Sequence, residues 1–248
     1  MATYRVLVAY DGAPFRGFAR QPDQITVQGT LEDALSKVLS SEIKISAAGR
    51  TDAGVHALGQ VVSFTTEQAF ESQDLLRRLN SICGPEIAIL ELERVSDGFD
   101  ARFSAASRTY EYAILTREIH DPFSRHTAWH HPRPLDTQAM SKAASQLLGE
   151  HDFSTFGRVD PPKSPVRRIE SIEVEVEGDL LIVRVTANSF LQQMVRSIVG
   201  TLIAVGEGTI DPDRIGEILE TRDRSAAGPV APPHGLFLVS VDYPEELL

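Results

Sequence analysis

Strands and helices are predicted in the same order in both halves of the chain, and this order constrains the fold more than any single motif. Short apolar runs bounded by turn residues predict strands, and apolar residues recurring every three or four positions predict helices. In the first half the predicted elements are strand 6–10, helix 27–39, strands 43–47 and 60–64, helix 72–82 and strand 87–92. In the second half they are strand 109–115, helix 136–149, strands 172–177 and 180–186, helix 190–205 and strand 236–241, with one more helix after Asp211. Each half therefore reads β-α-β-β-α-β.

The repeated order is that of a ferredoxin-like or RNA-recognition-motif-like unit. The length of 248 residues suits one large domain or two small ones. The sequence therefore predicts an α+β protein made of two tandem units, residues 1–104 and residues 105–248. Their mixed, mainly antiparallel sheets are expected to flank a central cleft.

Composition excludes several classes of protein. No apolar run approaches the ~18 residues of a membrane span, and the N-terminal residues lack the pattern of a signal peptide. Cys83 is the single cysteine, so neither an internal disulfide nor a thiolate zinc cluster is expected. A cytoplasmic protein is predicted. The formal charge of −11 argues against nonspecific coating of nucleic acid, although it permits a local basic groove.

The segment 48–60 combines three glycines with one carboxylate and one guanidinium. Glycine permits a tight turn and close approach to a ligand. Asp52 beside a fixed cation, Arg50, would stay ionised at neutral pH, which suits a nucleophile or a base. The plainer interpretation is a turn in which Asp52 bonds its own backbone and Arg50 is solvated. No Lys-Ser/Thr pair follows the glycines, so this is not a nucleotide-hydrolase phosphate loop, and no second glycosidase-type carboxylate is evident.

The block Gly49-Arg-Thr-Asp-Ala-Gly-Val-His56 closely resembles the active-site signature of the tRNA pseudouridine synthase A family. Other segments resemble that family's blocks in the same order along the whole chain. They are Tyr10-Asp-Gly12, Gly17-Phe-Ala-Arg-Gln21, Thr26-Val-Gln-Gly-Thr30, Ser107-Arg-Thr-Tyr-Glu-Tyr112, His151-Asp-Phe-Ser-Thr-Phe156, the segment 190–200 and the segment 233–244.

The resemblance implies an isomerase that converts uridine to pseudouridine on the 3′ side of the tRNA anticodon stem–loop, at three neighbouring positions. A uridine within a stem must be flipped out before a side chain can reach it. Asp52 would be the catalytic carboxylate, either attacking the sugar or abstracting a proton from it. Arg50 would occupy the gap left by the base, and Arg196 would keep Asp52 ionised. The resemblance further implies a homodimer that needs no cofactor and no metal.

Arg108, Tyr110 and Tyr112 alternate along a predicted strand and so share one face. An aromatic side chain there can stack a flipped base beside a phosphate-binding arginine, although tyrosine on a strand commonly just packs. The resemblance assigns base stacking to Tyr110, and we assign packing to Tyr112. Arg196 lies roughly 140° around its helix from Leu191, which by itself predicts exposure to solvent.

Three histidines, His126, His130 and His131, surround Trp129. Adjacent histidines on an extended segment point to opposite faces and rarely hold one ion. We interpret them as structural or RNA-facing residues. His56 and Cys83 are assigned no role beyond local structure.

Two other functions fit parts of the sequence. A noncatalytic RNA-binding or chaperone protein could use the same scaffold, but it would not need Arg50, Asp52 and Tyr110 together. A hydrolase that cleaves a nucleoside bond would differ by releasing free uracil.

Overall fold

The computed structural model describes residues 1–159, 162 and 164–247. The chain divides into two compact units, one made of Met1–Ser107 with Phe237–Leu248 and the other of Arg108–Leu236. The division expected after residue 104 thus falls after residue 107. The C-terminal segment, expected in the second unit, groups with the first because its strand pairs there.

The α+β class is confirmed, with helices inserted between groups of strands that pair mostly antiparallel. The strands are β1 Ala2–Tyr10, β2 Ser46–Ala47, β3 His56–Thr66, β4 Ile87–Val95, β5 Ser107–Leu115, β6 Trp129–His130, β7 Gly149–Asp152, β8 Val166–Glu177, β9 Leu180–Ala187 and β10 Leu236–Asp242. The α-helices are α1 Val27–Leu39, α2 Ser72–Cys83, α3 Thr137–Ser145, α4 Met194–Gly206 and α5 Ile215–Glu220.

In the first unit the strand order is β4-β1-β3-β10, and β2 pairs with the middle of β3. β1 runs antiparallel to both neighbours, so that Val6 lies opposite Val62 on β3 and Leu92 on β4. β10 runs parallel to β3, with Phe237 opposite His56. α1 packs on α2, and α2 packs on β4. This parallel pair is the reason that the last strand belongs to the first unit.

The helix α1 begins where the sequence predicts it. The Thr26 side chain accepts a hydrogen bond from the Gly29 amide at 3.2 Å, which satisfies one of the otherwise unpaired first-turn donors. The strand predicted at 43–47 shrinks to Ser46–Ala47. Its earlier amides are satisfied by α1 instead of by a neighbouring strand, since Ile43 N–H donates to Ser36 Oγ and Ile45 N–H donates to Glu32 Oε1.

In the second unit the strand order is β5-β9-β8-β7, antiparallel throughout, while β6 pairs with β5 in parallel. α3 packs against α4 and β8. The helix predicted to reach residue 149 ends at Ser145, and Gly149, with a φ of 96°, begins the unpredicted strand β7. The helix predicted from Phe190 begins at Met194, because Gln193 adopts a left-handed conformation with a φ of 65°.

Within the part of the chain that the structure describes, no helix has the length and apolarity that crossing a membrane requires.

Candidate active site

The glycine-rich segment forms the loop that joins β2 to β3. Along this loop Arg50 is exposed, Thr51 is buried and Asp52 is half-buried. The Asp52 carbonyl accepts a hydrogen bond from the Val55 amide at 3.1 Å, which closes a tight turn. Gly54 lies in that turn with a φ of 79°, a conformation that favours glycine. The turn predicted for this segment is therefore present, and it presents the carboxylate and the guanidinium two residues apart.

A second loop packs its backbone against this turn. The Phe18 amide donates to the Thr51 carbonyl at 3.0 Å. Gly17, with a φ of 96°, lies so close that a Cβ there would come within 3.1 Å of the Thr51 oxygen and 3.3 Å of the Ala53 nitrogen. Only a residue without a side chain fits both this conformation and this contact. Asp52 therefore stands on a backbone that a neighbouring loop supports.

Two buried side chains of the first unit, Tyr10 and Gln60, form hydrogen bonds to the same loop. The Tyr10 hydroxyl shares a 2.8 Å hydrogen bond with Thr51 Oγ1 and is also hydrogen-bonded to the Gln60 side chain. Gln60 Nε2 in turn donates to the Gly49 carbonyl at 2.8 Å. Burial raises the pKa of Tyr10 to about 12, so the hydroxyl stays protonated at neutral pH. The sequence patterns assign no site role to Gln60, and they include Tyr10 only as the first residue of the block Tyr10-Asp-Gly12.

His56 supports the far end of the loop. The Gly12 amide donates to His56 Nδ1 at 3.1 Å, and the imidazole ring stacks on Phe237 with centroids 4.7 Å apart. Asp11 Oδ1 also lies 3.1 Å from Nδ1. A ring nitrogen that accepts from an amide cannot also donate to a carboxylate, so these two contacts of Nδ1 are alternatives. These contacts connect the end of the loop at His56 to Gly12 and to Phe237.

The second unit places Tyr110 on β5, opposite Val185 of β9. Its side chain is only 7% exposed, and its ring meets Phe190 edge to face with centroids 5.0 Å apart. Tyr112 is fully buried, and its hydroxyl donates to the Pro232 carbonyl at 2.8 Å, so it packs as predicted. Arg108 is buried as well and donates to the Asn188 carbonyl at 2.7 Å.

Arg196 lies on α4 and is half-buried rather than solvated. Its Nε donates to the Ala231 carbonyl at 2.8 Å, and the Ala231 amide donates back to the Arg196 carbonyl at 3.1 Å. Burial raises the pKa of Tyr112, and the positive charge of Arg196 lowers it, which places the guanidinium near that ring. Helix geometry alone would leave Arg196 exposed to solvent, but the segment at Ala231 covers this side of α4.

His130 and His131 have different surroundings, although they are adjacent in sequence. His130 Nε2 lies 3.0 Å from the Arg117 carbonyl, whereas His131 is buried, with Nε2 3.4 Å from Glu207 Oε1. Burial lowers the pKa of His131, partly opposed by the Glu207 charge. Within residues 1–159, 162 and 164–247, no three His, Cys, Asp or Glu side chains form a group that could hold a metal ion.

The predicted site residues therefore fall into two sets. Arg50 and Asp52 lie on the loop between β2 and β3 of the first unit, which we call the clamped loop because other parts of that unit hold its backbone in place. Tyr110 lies on β5 and Arg196 on α4 of the second unit.

The sequence that forms this loop and this fold matches a class of enzymes, the tRNA pseudouridine synthases. The chain belongs to this family, whose sequence profile matches residues 6–104 and 143–244. The isomerase class predicted from the motifs is thereby confirmed.

Relatives that span nearly the whole chain carry the more specific name tRNA pseudouridine synthase A. One from Rhodopseudomonas palustris (strain HaA2) is 44% identical over 245 residues, covering 98% of this chain and 100% of its own. One from Rhizobium leguminosarum bv. trifolii (strain WSM2304) is 43% identical over 249 residues, covering 99% and 93%. One from Methylobacterium nodulans is 41% identical over 250 residues, covering 100% and 98%.

Proposed function

We propose that this protein isomerises uridine to pseudouridine in the anticodon stem–loop of tRNA, with Asp52 as its catalytic residue. The observation that carries the proposal is the clamped loop, which holds a half-buried carboxylate two residues from a guanidinium. Such support keeps a reacting group in a fixed place, which lowers the entropy cost of reaching the transition state.

The reaction rearranges bonds within one nucleotide. The bond between sugar C1′ and uracil N1 breaks, the base rotates in place, and a bond forms between C1′ and C5. The proton on C5 is released and N1 takes up one proton, so no oxidant, reductant or cofactor is consumed. Asp52 acts on the sugar, as a nucleophile or as a base that removes a proton from it.

We assign substrate binding to the other three residues. Tyr110 stacks on the flipped uracil, a contact that is sequence-tolerant because every base has a π-face. Arg50 is exposed beside Asp52 and fills the space that the flipped base vacates. Arg196, already fixed by its bond to Ala231, supplies a cation that favours the ionised carboxylate of Asp52.

A turnover assay with purified protein and an unmodified tRNA tests this function. We expect pseudouridine in the anticodon arm from the native chain and none from Asp52→Asn, with tRNA affinity unchanged within a few-fold. Asp97→Asn, on an exposed carboxylate, is the matched control. Free uracil as product would identify a nucleoside hydrolase, and tight binding without any product would identify a noncatalytic RNA-binding protein. Activity of Asp52→Asn near the native level would disprove the assignment of the carboxylate.

We further propose that each chain contains two ferredoxin-like units and that the protein is a cytoplasmic homodimer of such chains. The order β4-β1-β3, with β2 on β3, supports that unit in the first half, and β5-β9-β8 with α3 and α4 supports it in the second. The family resemblance implies the dimer, in which two acidic copies can combine scattered arginines into one RNA-binding surface. Sedimentation that shows only monomer at micromolar concentration would rule out the dimer.

A further inference from the structure

The buried hydroxyl of Tyr10 has no part in the chemistry described above, yet it is hydrogen-bonded to the loop that carries Asp52. Tyr10 is the last residue of β1 and is 5% exposed. Its ring packs near Phe18, with centroids 6.2 Å apart. The ring alone would fill this apolar space, so the hydroxyl needs a separate explanation.

The contacts of that hydroxyl converge on both sides of Arg50. Directly, it bonds Thr51 Oγ1 at 2.8 Å. Indirectly, it reaches Gly49 through Gln60, whose side-chain amide donates to the Gly49 carbonyl and accepts from the Gly49 amide at 3.4 Å. Gln60 is fully buried. The Tyr10 hydroxyl therefore fixes the positions of both residue 49 and residue 51. Arg50 lies between these two residues and Asp52 follows them, so their positions are fixed as well.

We propose that Tyr10 is a positioning residue for the isomerisation, acting through Thr51 and Gln60 to fix the loop that presents Arg50 and Asp52. The hydroxyl touches neither substrate nor reacting atoms. Its role is to remove alternative loop positions, because a displacement of about 1 Å at a reacting group can cost roughly a hundredfold in rate. A neutral hydroxyl in a buried place suits this task, since its bonds do not change with pH in the working range.

The test uses variants that remove one hydroxyl at a time while keeping the packing. They are Tyr10→Phe, Thr51→Val and the double variant, with Thr51→Ser as the conservative replacement that keeps the bond. Tyr4→Phe is the matched control, because Tyr4 lies on the same strand and stacks on Phe64 away from the loop, with centroids 5.4 Å apart.

We expect Tyr10→Phe and Thr51→Val each to lower the single-turnover rate constant about three- to tenfold. Affinity for tRNA should stay within twofold, Thr51→Ser should keep the native rate, and the double variant should be no slower than the slower single variant. Such non-additivity is expected only if both residues act through one bond. A native rate in Tyr10→Phe, or additive losses in the double variant, would overturn the proposal.

The rate measurement rests on the proposed function, so a second measurement does not use activity. Amide hydrogen exchange of the peptide 49–56 should be faster in Tyr10→Phe than in the native chain and unchanged in Tyr4→Phe. If the native chain makes no pseudouridine, the proposed function fails and the exchange result still decides whether Tyr10 fixes the loop. Unchanged exchange in Tyr10→Phe would refute the positioning role by itself.

Discussion

Gly12 lies directly against the Val55 carbonyl, so that a Cβ at position 12 would come within 2.0 Å of the Val55 oxygen. The two backbones meet where the loop that carries Asp52 returns to β3, and the Gly12 amide bonds His56 there. Since the obstruction is backbone rather than the end of a flexible side chain, neither partner can move aside cheaply.

We therefore expect Gly12→Ala to lower the free energy of unfolding by about 1–3 kcal/mol, as overpacking of a tight contact does. Turnover should fall as well, because the displaced segment belongs to the loop of Asp52. Urea unfolding and a turnover assay measure the two effects. Gly98→Ala is the control, since a Cβ at Gly98 would meet nothing within 4 Å. Equal stability of the two variants would contradict the tight contact.

The two tyrosines of β5 should separate function from packing. Tyr110→Ala removes the proposed stacking surface, worth about 1–3 kcal/mol per base, and should abolish most activity. Tyr112→Phe removes only the bond to the Pro232 carbonyl and should cost about 1 kcal/mol of stability while leaving the rate near native. Single-turnover rates and thermal unfolding of both variants check this. Unchanged kinetics in Tyr110→Ala would place the stacking surface elsewhere.

Binding of tRNA by an acidic protein should depend strongly on salt. If ~4–6 phosphates are neutralised, log affinity should fall with log salt at a slope of roughly −3 to −5. Arg16→Ala, on an exposed residue, should reduce that slope by about one. Arg20 Nη1 lies 2.9 Å from Asp33 Oδ1, and Arg78 Nε lies 2.8 Å from Asp74 Oδ2. Because each of these cations is already paired with a carboxylate, substituting either should change the salt slope less. Filter binding at several salt concentrations measures the slopes, and binding independent of salt would contradict phosphate recognition.

The thiol of Cys83 should be unreactive in the folded protein. It is buried at the end of α2, and burial raises its pKa from 9.0 to about 11. At pH 8 the thiolate fraction is therefore about a hundredfold smaller than in the unfolded chain, and only the thiolate reacts. A thiol-specific reagent should label the native protein slowly and the urea-unfolded protein within minutes. Reactivity should rise with pH toward 11, and rapid labelling of the native protein at pH 8 would contradict the burial.

Local patterns predicted most elements because their causes are local. The N-cap at Thr26, the alternation on β5 and the apolar stripe of α4 depend on residues a few positions apart. The shortened strand at 43–47 was not predictable in the same way, because its amides bond side chains of α1.

The candidate site likewise has one part that the sequence predicts and another that depends on contacts between distant residues. Asp52 and Arg50 could be recognised because they sit in one contiguous block. The support of that block by Tyr10, and the pairing of Phe237 with His56, depend on residues that only the folded sheet brings together. The half-buried state of Arg196 likewise depends on a segment distant in sequence, near Ala231.

The parallel pairing of β10 with β3 has a consequence for synthesis of the protein. His56 leaves the ribosome well before its stacking partner Phe237, because the whole second unit lies between them in sequence. The part of β3 near the loop that carries Asp52 therefore lacks its β10 partner until the second unit has been translated. A chain terminated before residue 236 would retain Asp52 without the strand that pairs with β3 beside His56.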